Sequence, residues 1–299
     1  MRDEEALSEE IVKILKQAGF KSDIIVYPRD RRSIDVVGHL DRNTLLLKTI
    51  VDASRITKDE INDLRKTRAV YGSSTMIIAI ENNNLELEND VIYYKYSNVI
   101  VTPKTLEKYL AKKEKPLVSC IRGTYVLRIN PEKLREKREN AGLSKGLLAD
   151  ILGTSKKAVY MYEKGDIYIS LDKGIKLASL LGEDIFEELD LISESINLQN
   201  DIEKDSSPRD NIEEALYKLT TVLKCLFTNF AHLPIDMVIK GRNAISIVKA
   251  DEKKKDTREK VEYAEKIAEN VNTKLVLIRS GRDILEVKRI IMRDLKNKY

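Results

Sequence analysis

The stretch that leaves this chain the fewest options is LREKRENAGLSKGLLADILGTSKKAVYMYEKGD, Leu134 to Asp166. Ser144 stands where a hydroxyl can accept the free amides that open the helix KGLLADIL. Ala149 falls where two helices must cross closely, and a larger side chain would hold them apart. Gly153 follows that helix and can take the positive φ of a tight turn. Ser155 is placed to cap the next helix, and Val159 to point back to a core shared with Leu148 and Leu152. A small residue, a glycine four positions later and a branched apolar residue six further on define a helix-turn-helix. DKGIKLASLLG and EDIFEELDL carry the apolar periodicity that would complete a small all-α bundle over residues 129–191. No strand is expected inside it.

The chain before the bundle alternates instead. EALSEEIVKILKQAG places Leu7, Ile11, Ile14 and Leu15 on one helical face, with Gly19 as its stop. The β-type runs DIIVY, SIDVVGH, TLLLKTI and TMIIAI follow, with TKDEINDLRKTRAVYG between the last two as a helix capped by Thr57. That order means α/β layering on one sheet, to which DVIYYKYSNVIVT would add a strand and KTLEKYLAKK a closing helix. SESINLQNDIEKDSSPRDN is polar and reads as a linker.

Beyond the linker the first pattern returns. PIDMVIKGRNAISIVK aligns without a gap on SIDVVGHLDRNTLLLK: Asp236 answers Asp35, Lys249 answers Lys48, and the interval is 13 residues in both (48 − 35; 249 − 236). A helical segment precedes the repeated stretch, another follows, and TKLVLI parallels TMIIAI. The expected fold is therefore α/β plus all-α, two α/β sheet domains (1–115 and 212–299) flanking the helical bundle (129–191), with a linker at 192–211.

Bulk properties narrow the function classes. No run approaches the roughly 18 apolar residues of a membrane helix, and the acidic start MRDEEALSEE is the opposite of a targeting leader, so a cytoplasmic protein without membrane attachment is expected. Cys120 and Cys225 lack any C-x-x-C spacing, and His39 and His232 lack a ligand partner in sequence, so no zinc site, disulfide framework or cofactor is expected. A net charge of +4 is modest, and any basic surface must be local.

The motifs LREKRENAGLS, LADILGTS, YEKG and LASLLG resemble the Cro/repressor-like (XRE-type) helix-turn-helix family, with Lys145 in place of the glutamine common after LS. The resemblance, archaeal in type, implies a sequence-specific transcriptional regulator. Its helix 155–163 would enter the major groove of double-stranded DNA, in a protein that acts as a dimer on two-fold sites. Carried over by position, Ser155, Lys156, Lys157, Tyr160 and Met161 are candidates for base or nearby phosphate contact, and Lys145 and Lys164 for phosphates. Tyr162 is expected in the core, Glu163 in hydrogen bonds within the fold, and Gly165 as the end of the helix.

The N-terminal segment resembles the restriction-endonuclease-like fold, in element order the archaeal Holliday-junction resolvases. In that family a helix glutamate, a hairpin aspartate and an E-x-K tripeptide hold Mg²⁺. Asp35 and Lys48 match, and Glu9 or Glu10 could supply the helix acid, but Leu46 stands where the second carboxylate belongs, as Ile247 does before Lys249. A leucine cannot ligate a cation, so the expectation is a degenerate centre without catalysis, in which Asp35 and Lys48 form a residual pair. The flanking domains would then dimerise the protein and sense an effector or protein partner. Two alternatives remain open: a metal-dependent, structure-selective nuclease rescued by Asp41 or Asp52, and an architectural protein that binds DNA shape. Arg29, Arg31, Arg32 and the run Lys253–Lys255 are solvated loops or, alternatively, a phosphate track.

Overall fold

The structure is a computed structural model that describes residues 4–198, 207–251 and 256–296. The first unit opens with α1 (Glu4–Gln17), whose Leu7, Ile11, Ile14 and Leu15 are buried as their spacing requires. Strands β1 (Lys21–Ile24), β2 (Val36–Leu40) and β3 (Asn43–Asp52) form an antiparallel meander. The helix α2 (Lys58–Tyr71) begins in a reciprocal capping box between Thr57 and Glu60 and returns the chain to β4 (Ser74–Asn82), parallel to β3. The short β5 (Leu85–Glu86) pairs with the end of β4.

DVIYYKYSNVIVT forms two strands rather than one, β6 (Val91–Lys95) and β7 (Asn98–Val101). Tyr96 and Ser97 both take positive φ, the conformation of a two-residue hairpin turn, and fold the run back on itself. After α3 (Pro103–Glu107) and a π turn at Lys108–Lys112 comes a hairpin that no sequence signal suggested, β8 (Val118–Ile121) and β9 (Thr124–Leu127). The sheet runs β1-β2-β3-β4-β7-β6-β8-β9-β10, where β10 is Ile169–Ser170 in the middle of the helical segment. The expectation of a strandless bundle is thus corrected: one sheet continues from the α/β unit into the helical one.

The bundle itself holds α4 (Pro131–Asn140), α5 (Lys145–Leu152), α6 (Lys156–Tyr162) and α7 (Leu171–Leu181) around Leu134, Leu148, Ala149, Leu152, Val159 and Leu177. The segment expected as a linker from residue 192 is instead helical at its start, α8 (Leu191–Ile196), capped by Asp190. Leu191 and Ser195 are buried, and Ser195 hydrogen-bonds Ser74 at the start of β4, so this helix is pinned to the first unit. The remainder of that expected linker at residues 199–206, and the lysines 253–255, lie outside the described residues.

The third unit has α9 (Asn211–Leu223), β11 (Leu226–Asn229), β12 (Met237–Lys240), β13 (Ala244–Lys249), α10 (Thr257–Asn270), β14 (Lys274–Ile278) and α11 (Ile284–Lys296). Its sheet order β11-β12-β13-β14, antiparallel twice and then parallel, repeats that of β1-β2-β3-β4. The two units share one core: Phe230, Leu233, Val238 and Ile267 pack with Ile25, Val37, Leu46 and Leu64. Tyr71, the last residue of α2, meets Ser246 of β13 at 2.8 Å, and Thr44 of β3 donates to the carbonyl of Asn270, the last residue of α10, at 3.0 Å. Each unit thus lays the end of its crossover helix against the other's third strand, an approximate two-fold within one chain. Buried Asp63 reinforces the contact by accepting from Ser33 Oγ and from the backbone amides of Ala231 and His232. Among the described residues no helix is long and apolar enough to cross a membrane.

Candidate nucleic-acid interface

The helix-turn-helix is built by contacts only a few residues long. Ser144 Oγ accepts from Leu147 N at 3.0 Å and Ser155 Oγ from Ala158 N at 3.1 Å, so both helices start where the hydroxyls stand. Gly153 takes φ +62° and turns the chain between them. Val159 and Tyr162 then bury one face of α6. Lys156, Lys157 and Tyr160 are exposed on the other face, and Met161 is half-buried. The cap Ser155 is exposed at the entrance to α6 and Lys164 just past its end.

Glu163 organises this face from below. Its carboxylate is buried, accepts from Arg138 Nε of α4 at 2.5 Å, and pairs with Lys145 Nζ of α5 at 2.8 Å. Burial pushes its pKa up, but the hydrogen bonds from Arg138 and Lys145 outweigh that and hold it below the ordinary value. Three helices thus meet on one carboxylate. Lys145, expected as a phosphate contact, is placed inside this network and lies 5.2 Å from the centre of the Tyr160 ring; Lys164 Nζ lies 4.7 Å from the same centre. Arg138 and its pairing with Glu163 escaped the sequence reading, because the partners are 25 residues apart and share no local pattern.

The centre of the first unit is closed by cations. Asp35 Oδ1 accepts from Arg32 Nε at 2.9 Å, and Oδ2 from Thr49 N at 2.9 Å with Lys48 Nζ at 3.1 Å. Lys48 also lies 3.4 Å from Glu60 Oε1, while Glu60 Oε2 is held by Thr57. Glu9 and Glu10 are exposed; α1 instead presents Ser8, hydrogen-bonded to Thr49 Oγ1 at 2.7 Å. Asp41 sits in the turn at the far end of the β2–β3 hairpin, and Asp52 is consumed in capping Ser54 N and accepting from Asn83 N. None of these acids joins Asp35. Of the arginines in the alternative phosphate track, Arg32 is bound to Asp35, Arg29 pairs with Glu259 of the third unit at 2.8 Å, and Arg31 is exposed.

The gapless repeat does not survive the register. In the first hairpin Leu40 faces Asn43 and Val36 faces Leu47, which sets Lys48 opposite Asp35. In the second, Lys240 faces Ala244 and Met237 faces Ile247, so the loop is one residue longer and Val248 opposes Asp236. A one-residue slip turns a side chain to the other face of a strand. Lys249 accordingly binds Asp210 and Glu213 of the α9 segment, each at 2.7 Å, while Asp236 takes Lys260 from α10 at 2.7 Å. Asp236 answers Asp35, but Lys249 does not answer Lys48.

Residues 4–116 match the PD-(D/E)XK superfamily domain and residues 134–187 a helix-turn-helix domain. Proteins named as HTH-type transcriptional regulatory proteins resemble the whole chain. That of Saccharolobus solfataricus is 31% identical over 279 residues, covering 90% of this chain and 86% of its own length. That of Saccharolobus islandicus is 31% identical over 287 residues, covering 93% and 88%. The chain belongs to this archaeal HTH-type family. A further member, from Pyrococcus furiosus, is 28% identical over 301 residues, 99% of this chain and 94% of its own, so the family likeness extends through the third unit. No solved structure matches this family member. Its two matched domains leave residues 117–133 between them, where the unforeseen β8–β9 hairpin lies.

Proposed function

We propose that this chain is a sequence-specific, double-stranded-DNA-binding transcriptional regulator that reads the major groove with α6. The observation that carries this is the division of one short helix: Val159, Tyr162 and Glu163 are locked into the bundle while Lys156, Lys157 and Tyr160 stand clear of it. Side chains on the free face, with Ser155 and Met161 at its margins, are the base and nearby phosphate contacts; Lys164 meets the backbone. Lys145 supports the surface through Glu163 and Tyr160 before it supports a phosphate.

The two α/β units are degenerate nuclease-like domains, residues 1–115 and 212–299, about the reader at 129–191, with 192–211 connecting reader and third unit. In this division α8 docks back on the first unit. Both Asp35 oxygens hold cationic or amide donors and Leu46 lies in the core between the units, which supports a scaffold without a catalytic step. Two-fold operators call for a homodimer. The α/β units already cover each other within one chain, so the second copy joins elsewhere, and the exposed Leu285, Met292 and Leu295 of α11 support that helix as the contact.

Selection of bound duplexes from a random pool, with EDTA and with Mg²⁺, tests the reading. A shared two-fold site recovered equally in both is expected, lost in the double variant Lys156→Ala, Lys157→Ala and kept in Lys218→Ala. DNA cut only with Mg²⁺, with no enriched site, would overturn it in favour of a nuclease.

A further inference from the structure

A cavity of about 340 Å³ opens where three parts of the chain meet: the β2–β3 turn, the exit of α2 with the end of α10, and α8. Its size is at the lower end of small-ligand sites. One wall is apolar, formed by Ile192 and Ile196 of α8 with Val271. The lining also carries one cation and one anion, Arg42 and Asp41, both exposed and, among the described residues, in no hydrogen bond or ion pair. Ser73, 5% exposed, also lines the cavity, but its hydroxyl oxygen is buried beneath the cavity surface and, among the described residues, has no partner.

His39 also lines the cavity, with its ring held by Thr44. Thr44 Oγ1 gives its proton to the Asn270 carbonyl, so toward His39 Nδ1, 3.0 Å away, it can only accept. Nδ1 therefore carries the hydrogen and donates it to Thr44, which fixes the ring and leaves Nε2 as its other polar atom. The lining thus offers a guanidinium, a carboxylate and an imidazole beside apolar side chains. Its formal charges cancel.

We propose that this cavity binds a free α-amino acid. A ligand with one carboxylate, one ammonium and an apolar side chain matches the pair Arg42/Asp41 and the wall of α8, whereas a net anion such as phosphate would face Asp41 uncompensated. The position links the ligand to the bundle. Next to Ile192 and Ile196 on α8, Ser195 holds Ser74 and Glu194 holds Arg128 at 2.8 and 3.1 Å, and Arg128 sits between β9 and α4 at the entrance to the helix-turn-helix. Filling the cavity shifts how α8 seats on the first unit and thereby how the reader is held. This regulatory half rests on the proposed DNA-binding function; the binding half does not.

The test is thermal unfolding of the full chain with each of the twenty amino acids at millimolar concentration, and with inorganic phosphate. One amino acid, or a chemically related few with apolar side chains, is expected to raise the midpoint by several degrees, and phosphate to leave it unchanged. Arg42→Ala should abolish the shift without moving the unliganded midpoint, because Arg42 is exposed and unpaired. Ile196→Trp, which fills the cavity from α8, should abolish it too. No shift with any of the twenty, or a shift that persists in both variants, overturns the binding proposal. Where the shift is seen, the same amino acid should change affinity for the selected duplex at least threefold, and Arg128→Ala should erase that change. An unchanged affinity, with the shift intact, overturns the coupling alone.

Discussion

Removing the carboxylate of Glu163 should unfasten the DNA-reading bundle. Glu163→Ala leaves the Arg138 guanidinium, 7% exposed at its side chain, without the acceptor on Nε. Breaking a buried ion pair from one side costs about 3–5 kcal/mol, because a charge is left buried without its partner. The lower end applies here: Arg138 keeps the Leu143 carbonyl at 2.8 Å and Glu139 at 2.9 Å, and Lys145, 30% exposed, can turn to water. With a urea slope of about 1–3 kcal/mol/M, a loss of about 3 kcal/mol lowers the midpoint by roughly 1–3 M. Urea titration followed by far-ultraviolet circular dichroism measures it, with Glu163→Gln as the isosteric control that keeps a neutral acceptor and loses less. The pH dependence has a defined sign. A carboxyl held below its ordinary 4.5 adds stability that is fully present above that value and is lost as the pH falls through the lower folded value. The gap between wild type and Glu163→Ala should therefore be full at pH 7 and shrink in acid. A loss under about 1 kcal/mol at pH 7, or a gap that widens in acid, would refute the argument that this carboxylate ties the three helices together.

Leu46→Glu, which restores the sequence of an E-x-K tripeptide, should destabilise the protein by several kcal/mol and bring no Mg²⁺-dependent rise in unfolding temperature, since Leu46 lies fully buried in the core shared by the two α/β units; a clear Mg²⁺-dependent rise would contradict this. Tyr71→Phe removes the hydroxyl that joins α2 to Ser246 and should cost about 0.5–1.5 kcal/mol in urea unfolding. Asp63→Ala strands the amides of Ala231 and His232 and should cost more than Asp63→Asn, which retains one acceptor oxygen. Burial pushes the Asp63 carboxyl up, so its share of stability is present in acid and lost as the pH rises through its folded value, the opposite sense to Glu163. Comparing the pH profiles of Asp63→Asn and Glu163→Gln separates the two.

The sequence by itself determined whatever rests on neighbours in the chain. Caps at Thr57, Ser144 and Ser155, the positive φ of Gly153 and the inward Val159 all follow from contacts spanning about one helical turn, and so the helix-turn-helix was legible residue by residue. So was the first hairpin, where Asp35 and Lys48 do meet. Tertiary structure decided the rest. A gapless alignment of the two hairpins is blind to one extra loop residue, yet strands alternate faces with period two, and that residue sends Lys249 to Glu213 and brings Lys260 to Asp236. Partners distant in sequence leave no periodic trace either: Arg138 with Glu163, Ser195 with Ser74, and Asp63 with the amides of the third unit. The order of elements showed two α/β patterns, and the family resemblance assigned them to pairing with a second copy. Only packing revealed that the patterns bury each other, because an apolar face on α2 or α10 reads the same in sequence whether another chain covers it or this one does.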